Sequence, residues 1–176
     1  YADYAIWQRE SLLTEAMERQ RQFWKEALSG ELPLLNLHTD RPRSAEKHLS
    51  GARLPFTVDA ETTQRLRRLS KEWGGTLFMA VLTAFQVLLY RYTGQEDIIV
   101  GTPVSSRTSA QVQDMVGVFI NMLPLRAFPK GEESFSSLFA SLREVCIAAM
   151  AHADYPMEKM LQDANVPRDM SRNPLF

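Results

Sequence analysis

A layered α/β domain, with two or more strands backed by helices, is the architecture this sequence predicts. Three observations carry that prediction. Amphipathic helical periods alternate with short extended apolar runs, and 176 residues suit one domain with a substantial core. An apolar share of 45% beside 23% charged residues matches a globular chain and not a disordered one.

The elements follow in chain order. Ala2 to Ser29 reads as helix, with Leu13, Ala16, Met17, Trp24, Ala27 and Leu28 on one face and Gly30 as its stop. Glu31 to Ser50 contains Pro33, Pro42 and the charged run Asp40-Arg41-Pro42-Arg43, and reads as a long crossing segment held along the surface. Arg53 to Val58 is a strand candidate. Asp59 then caps a helix that should bury Leu66, Leu69 and Trp73 before Gly74-Gly75 ends it. Thr76 opens a second helix in which Leu77, Phe78, Val81, Leu82, Phe85, Val87, Leu88 and Leu89 leave little polar surface, which predicts a central, enclosed helix.

Asp97 to Val104 reads as a strand leaving through Gly101 and Pro103 into a polar loop, Ser105 to Asp114. Val118 to Leu125 reads as a strand apolar on both faces, with Pro124 limiting its pairing near the end. Ser134 to Met150 is helical, with Phe135, Leu138, Leu142, Val145, Cys146 and Ala149 inward. A short helix follows with Pro156 at its first position, where the missing N–H costs nothing.

Twenty Lys and Arg against 21 Asp and Glu give a formal charge of −1, so no broad positive field is available to hold nucleic acid. The apolar stretch Thr76 to Tyr92 is interrupted by Thr83, Gln86 and Arg91, which argues for a core helix and against a membrane span. Cys146 is the sole cysteine, so an internal disulfide and a thiolate zinc site are both excluded, and a reducing, cytoplasmic setting is expected. The opening at Tyr1 and the apolar close at Asn173-Pro174-Leu175-Phe176 both read as cut edges of something longer.

The histidines are the natural acid–base candidates. His38 and His48 lie in the crossing segment without an acidic partner at motif spacing, which favours surface or structural roles. His152, in His152-Ala153-Asp154-Tyr155-Pro156, is more tempting, but an imidazole complementing the negative end of the preceding helix explains it more simply. No G-x-S-x-G elbow occurs, and Val104-Ser105-Ser106-Arg107 lacks the glycines of such a turn. Phosphate-cradling glycine loops and metal-ligand spacings are also missing. The residues alone describe an α/β domain without a complete active site.

Four segments in order resemble consecutive core motifs of the condensation domains of non-ribosomal peptide synthetases. Tyr1-Ala2-Asp3-Tyr4-Ala5-Ile6-Trp7 resembles the fourth motif, and Val116 to Arg126, centred on Gly117-Val118-Phe119-Ile120-Asn121, resembles the fifth. His152 to Glu158 resembles the sixth and Arg168 to Leu175 the seventh. Thr76-Leu77-Phe78-Met79 and Asp97 to Pro103 are similar to the family's connecting text. Ala153, Met157 and Met122 depart from the Gln, Phe and Thr common at those places.

The resemblance implies the C-terminal half of such a domain: residues 1–176 as a subdomain resembling chloramphenicol acetyltransferase, truncated at both ends. It implies a tunnel between two subdomains, entered by the phosphopantetheine arms of donor and acceptor carrier domains, with no cofactor bound directly. The catalytic His belongs to an H-H-x-x-x-D-G motif that does not occur within residues 1–176. This half is therefore expected to be inactive alone, with no catalytic residue and no metal ligand of its own. It would supply tunnel wall and carrier docking surface, with Gly101, Thr102, Pro103, Val104 and Ser105 as floor-loop candidates and Asn121, Arg172 and Asn173 as tunnel-side candidates.

The implied partners are the N-terminal half, the two carrier domains and an adjacent adenylation domain. An epimerisation or heterocyclisation domain is the alternative of similar architecture, although Gly117 to Asn121 favours condensation over epimerisation. A non-catalytic carrier-binding module is the alternative of another class. The uncovered helices and loops further predict exposed apolar surface on the chain by itself.

Overall fold

The computed structural model describes residues 1–41, 51–167, 169 and 171–176. Its elements are α1 (Ala2–Ser11), α2 (Glu15–Ala27), α3 (Ala60–Glu72), α4 (Leu77–Thr93), β1 (Ile98–Ser105), a 3-10 turn at Ala110–Val112, β2 (Ile120–Ala127), α5 (Phe135–Ala151) and α6 (Met157–Asp163). The strands pair antiparallel, from Ile98 opposite Ala127 to Ser105 opposite Ile120. Helices α4 and α5 back them, giving the layered α/β arrangement expected.

Side chains alternate across a strand, so Asn121, Leu123, Leu125 and Ala127 share one face of β2. Leu123, Leu125 and Ala127 join Leu138, Leu142, Cys146 and Ala149 of α5 in the main apolar cluster, together with Met17, Trp24 and Leu28 of the α2 segment. Each fully buried side chain of this size contributes about 1.5–3 kcal/mol. The opposite face carries Gly101, Pro103 and Ser105 on β1 beside Ile120, Met122 and Pro124 on β2.

Several expectations are corrected. The N-terminal helix is two helices: Thr14 adopts an extended conformation and its hydroxyl accepts from the Met17 amide at 3.4 Å, starting α2 afresh with Glu15 and Glu18 in its first turn. The break leaves Leu13 89% exposed, and Ala16 is exposed as well. Arg53 to Val58 forms no strand; Leu54 and Phe56 are exposed, and the segment has no pairing partner in the two-stranded sheet. In α3 the fully buried residue is Ser70, while Leu66, Leu69 and Trp73 are only partly covered.

Helix α4 is capped as expected, with the Thr76 hydroxyl accepting from Met79 and Gly94 in the left-handed region at its end, but it is not enclosed. Thr83 and Gln86 are buried with Ala80, Leu82 and Leu89, while Phe78, Val81, Phe85, Leu88 and Tyr92 form an exposed row. The helix thus turns two polar residues inward and five large apolar ones outward. No single helix among the described residues is long and apolar enough to cross a membrane. Pro156 is the N-cap of α6 and not its first residue, and both strands begin one or two residues later than expected. The second part of the crossing segment, with His48, lies outside the described residues, as do Arg168 and Met170 of the last motif.

Candidate functional site

The open end of the two-stranded sheet is where the separate sequence motifs meet. Between the strands, Arg107 organises residues 106–119: its guanidinium donates to the carbonyls of Val112, Gln113 (3.1 Å) and Met115 (2.9 Å) and lies 4.1 Å over the Phe119 ring. The Gln113 side chain returns a bond to the Arg107 carbonyl at 3.0 Å. A five-donor planar cation is suited to gather several carbonyls at once. Nothing in the sequence pattern singled out Arg107, because its partners are backbone carbonyls that no motif spells.

The first motif closes on this loop. Tyr1 and Tyr4 pack on Phe119 with ring centroids 5.4 and 4.7 Å away, and the Tyr1 hydroxyl donates to the Val118 carbonyl at 3.1 Å. A Cβ on Gly117 would stand 2.1 Å from the Tyr1 ring, so only glycine permits this approach.

Asn121 joins β2 to the His152–Glu158 segment. Its Nδ2 donates to the carbonyls of Ala153 and Tyr155, both at 2.8 Å, and its Oδ1 accepts from the amides of Met157 and Met122, both at 3.0 Å. The side chain is 8% exposed and these four bonds occupy its hydrogen-bonding groups. Although Asn121 lies beside the open face in sequence, its amide points at backbone and is already in use.

The same segment is held from α2. Trp24 Nε1 donates to the His152 carbonyl at 2.8 Å, and Gln20 Oε1 accepts from the Tyr155 amide at 3.0 Å. His152 Nδ1 sits 2.7 Å from the Ala148 carbonyl with its ring stacked on Phe23 at 4.0 Å, so it closes the end of α5 as its sequence context suggested. Asp154 is exposed. The Tyr155 hydroxyl donates to Asp163 at 2.6 Å, and Arg21 clasps the same carboxylate at 2.9 and 3.0 Å. The hydrogen bond from Arg21 holds the Asp163 carboxyl below its ordinary range, while burial pushes the Tyr155 phenol up. Burial likewise raises the Cys146 thiol to about 11, which keeps it protonated and unreactive.

The candidates Gly101, Thr102, Pro103, Val104 and Ser105 all lie within β1; the loop proper begins after them. Gly101 is covered by the Phe176 ring, 2.1 Å from where a Cβ would stand, which brings the last motif against the sheet. Asp169 organises the turn before it, accepting from the Ser171 amide and hydroxyl at 2.8 and 2.7 Å, with Arg172 Nε 4.0 Å from its carboxylate. Arg172 is thereby engaged locally, and Asn173 has interactions of its own. Among the described residues no group of three His, Cys, Asp or Glu could hold a metal ion. The arrangement makes a shaped wall and offers no acid–base pair.

Comparison with known proteins agrees with this geometry. The family described as Condensation domain matches residues 1–176. A linear gramicidin synthase of Brevibacillus parabrevis is 47% identical over the whole chain, which spans 4% of that protein's length. The X-domain in complex with OxyB from teicoplanin biosynthesis superposes with a TM-score of 0.92 at 27% identity, over 99% of this chain and 40% of that one. The SgcC5 protein from Streptomyces globisporus is 32% identical with a TM-score of 0.77, over 92% of this chain and 36% of that one.

Proposed function

Given that the chain belongs to the condensation-domain family across residues 1–176, we propose that it is the C-terminal subdomain of a domain joining a carrier-bound acyl or peptidyl thioester to a carrier-bound aminoacyl group. The segment matches a small part of large peptide synthetases, at 47% identity to the linear gramicidin synthase of Brevibacillus parabrevis. The observation that carries the reading is spatial. Four motif segments distant in sequence converge on one sheet end, through Tyr1 on Gly117, Asn121 on residues 153–157, and Phe176 on Gly101.

In this reading the attacking amine and the thioester meet at a histidine supplied by the other half of the domain, the H-H-x-x-x-D-G motif being foreign to residues 1–176. Gly101 to Ser105 with the loop that follows, and the Ser171–Asn173 turn, form one wall of the tunnel for the phosphopantetheine arms. The exposed row of α4, Phe78, Val81, Phe85, Leu88 and Tyr92, supports further protein cover over this subdomain, since a row of that size is unusual on a free surface. The lone buried Cys146 supports a reducing, cytoplasmic setting.

A second reading is a binding module without condensation activity. It is favoured by the likeness to the teicoplanin X-domain, which was solved in complex with OxyB. The test is amide formation by the whole domain that carries this segment, with loaded donor and acceptor carriers. Product that disappears when the second His of the H-H-x-x-x-D-G motif is replaced by Ala supports condensation. An inert domain that still binds carriers supports the module.

A further inference from the structure

The sheet face turned away from α5 carries a built pattern. Asn121, locked by four hydrogen bonds, points to the helix side, so its neighbours Ile120 and Met122 must point to the other. Across the register Met122 faces Pro103 and Ile120 faces Ser105, and the Ser106 amide continues the ladder to the Phe119 carbonyl at 2.9 Å. That continuation sets Val118 in line with Ile120 and Met122. Ile120 is 66% and Val118 72% exposed, whereas Phe119, Asn121 and Leu123 between and beside them are buried. At the far end the Phe176 ring over Gly101 stands as a stop.

The side chains presented here carry no charge, and the Met122 amide is already bonded to Asn121 Oδ1. This floor can therefore contact a substrate through apolar atoms and the Ser105 hydroxyl, and a charged side chain lying on it would lose hydration without a partner. Where the related motif commonly has Thr, this chain has Met, a longer and more adaptable apolar side chain on the exposed side of the strand.

Resting on the condensation reading, we propose that Met122 is a specificity-determining residue which, with Ile120 and Pro103, selects an apolar side chain on the carrier-bound substrate. The selected side chain belongs to either the donor or the acceptor residue, and both present the same chemistry to this floor. The experiment uses the whole domain with loaded carriers. One arm varies the acceptor between leucyl and seryl at a fixed donor, and the other varies the donor in the same way.

The expected result is that Met122→Thr lowers the leucyl-over-seryl preference about 10-fold in one arm, the scale of a methylene or two in an apolar pocket. Met122→Leu keeps the preference. Ile120→Thr, at a position open to solvent, repeats the test should Met122→Thr impair folding. A preference unchanged within about twofold in both arms, with the unaltered domain active, overturns this inference and leaves the condensation reading standing. No product from the unaltered domain overturns both.

Discussion

Replacing Asn121 by Ala severs the fastening between β2 and the turn that leads into α6. The Met157 amide loses its 3.0 Å acceptor and the carbonyls of Ala153 and Tyr155 lose their 2.8 Å donors, at a residue only 8% exposed. A buried group left unpaired costs about 1–3 kcal/mol, and partial access of water to the exposed side of the turn keeps each loss near the low end. The expected sum is about 3 kcal/mol, a large fraction of the 5–15 kcal/mol typical of a domain. Urea unfolding of the chain should show a lower midpoint with an unchanged slope. Asn121→Asp keeps the shape but loses both donors and sets a charge against two carbonyls, so it should be no milder. A loss below about 1 kcal/mol for Ala, or full stability for Asp, would refute the reasoning.

Three other perturbations test the frame around the site. Arg126 binds Asp97 through two bonds of 2.9 and 2.7 Å and gathers the Ser29 and Glu31 carbonyls at 2.8 and 3.0 Å, so Arg126→Met should cost about 2–4 kcal/mol in the same unfolding assay and free the chain after α2 to proteolysis. Gly101→Ala should displace Phe176 and lower stability by about 1–3 kcal/mol, with most of the loss recovered by adding Phe176→Ala. Asp163→Asn should cost about 1–2 kcal/mol at pH 7, a figure reduced because Arg21 is 40% exposed. The folded-state carboxyl of Asp163 is depressed, so its contribution is fully present above the ordinary value of 3.8 and is lost as pH falls through the lower folded one. The stability gap between Asp163→Asn and the unaltered chain should therefore close in acid; a gap independent of pH would contradict the assignment.

Much of the frame was legible because it is written in local signals. The caps at Asp59, Thr76 and Ser134 each accept the hydrogen bond their residue type promises, and both sheet strands and the last three helices fall within two residues of their expected places. Failures occurred where tertiary partners decide. Thr14 restarts a helix that periodicity alone would carry through, and Arg53 to Val58 has strand composition but no strand to pair with. Thr83 and Gln86 read as the polar side of α4, yet they are buried and the apolar residues face out.

Within the site, the motif resemblance located the segments that meet but not the roles of their side chains. Asn121 turned out to be spent on backbone groups about 32–36 residues away in sequence, a contact that no spacing rule foretells. Arg107 went unnoticed for the same reason. His152 was legible from its position after α5, and its ring does close that helix.

The central claim is that this subdomain shapes a tunnel while the proton chemistry lies outside it. The most direct measurement is single-turnover amide formation by the whole domain carrying both His152→Ala and Asp154→Ala, with loaded carriers and folding checked by circular dichroism. The account predicts a rate within about threefold of the unaltered domain, because neither side chain takes part in proton transfer. A well-folded variant whose rate falls by about 10²–10⁴, the contribution of a general acid–base group, would contradict it.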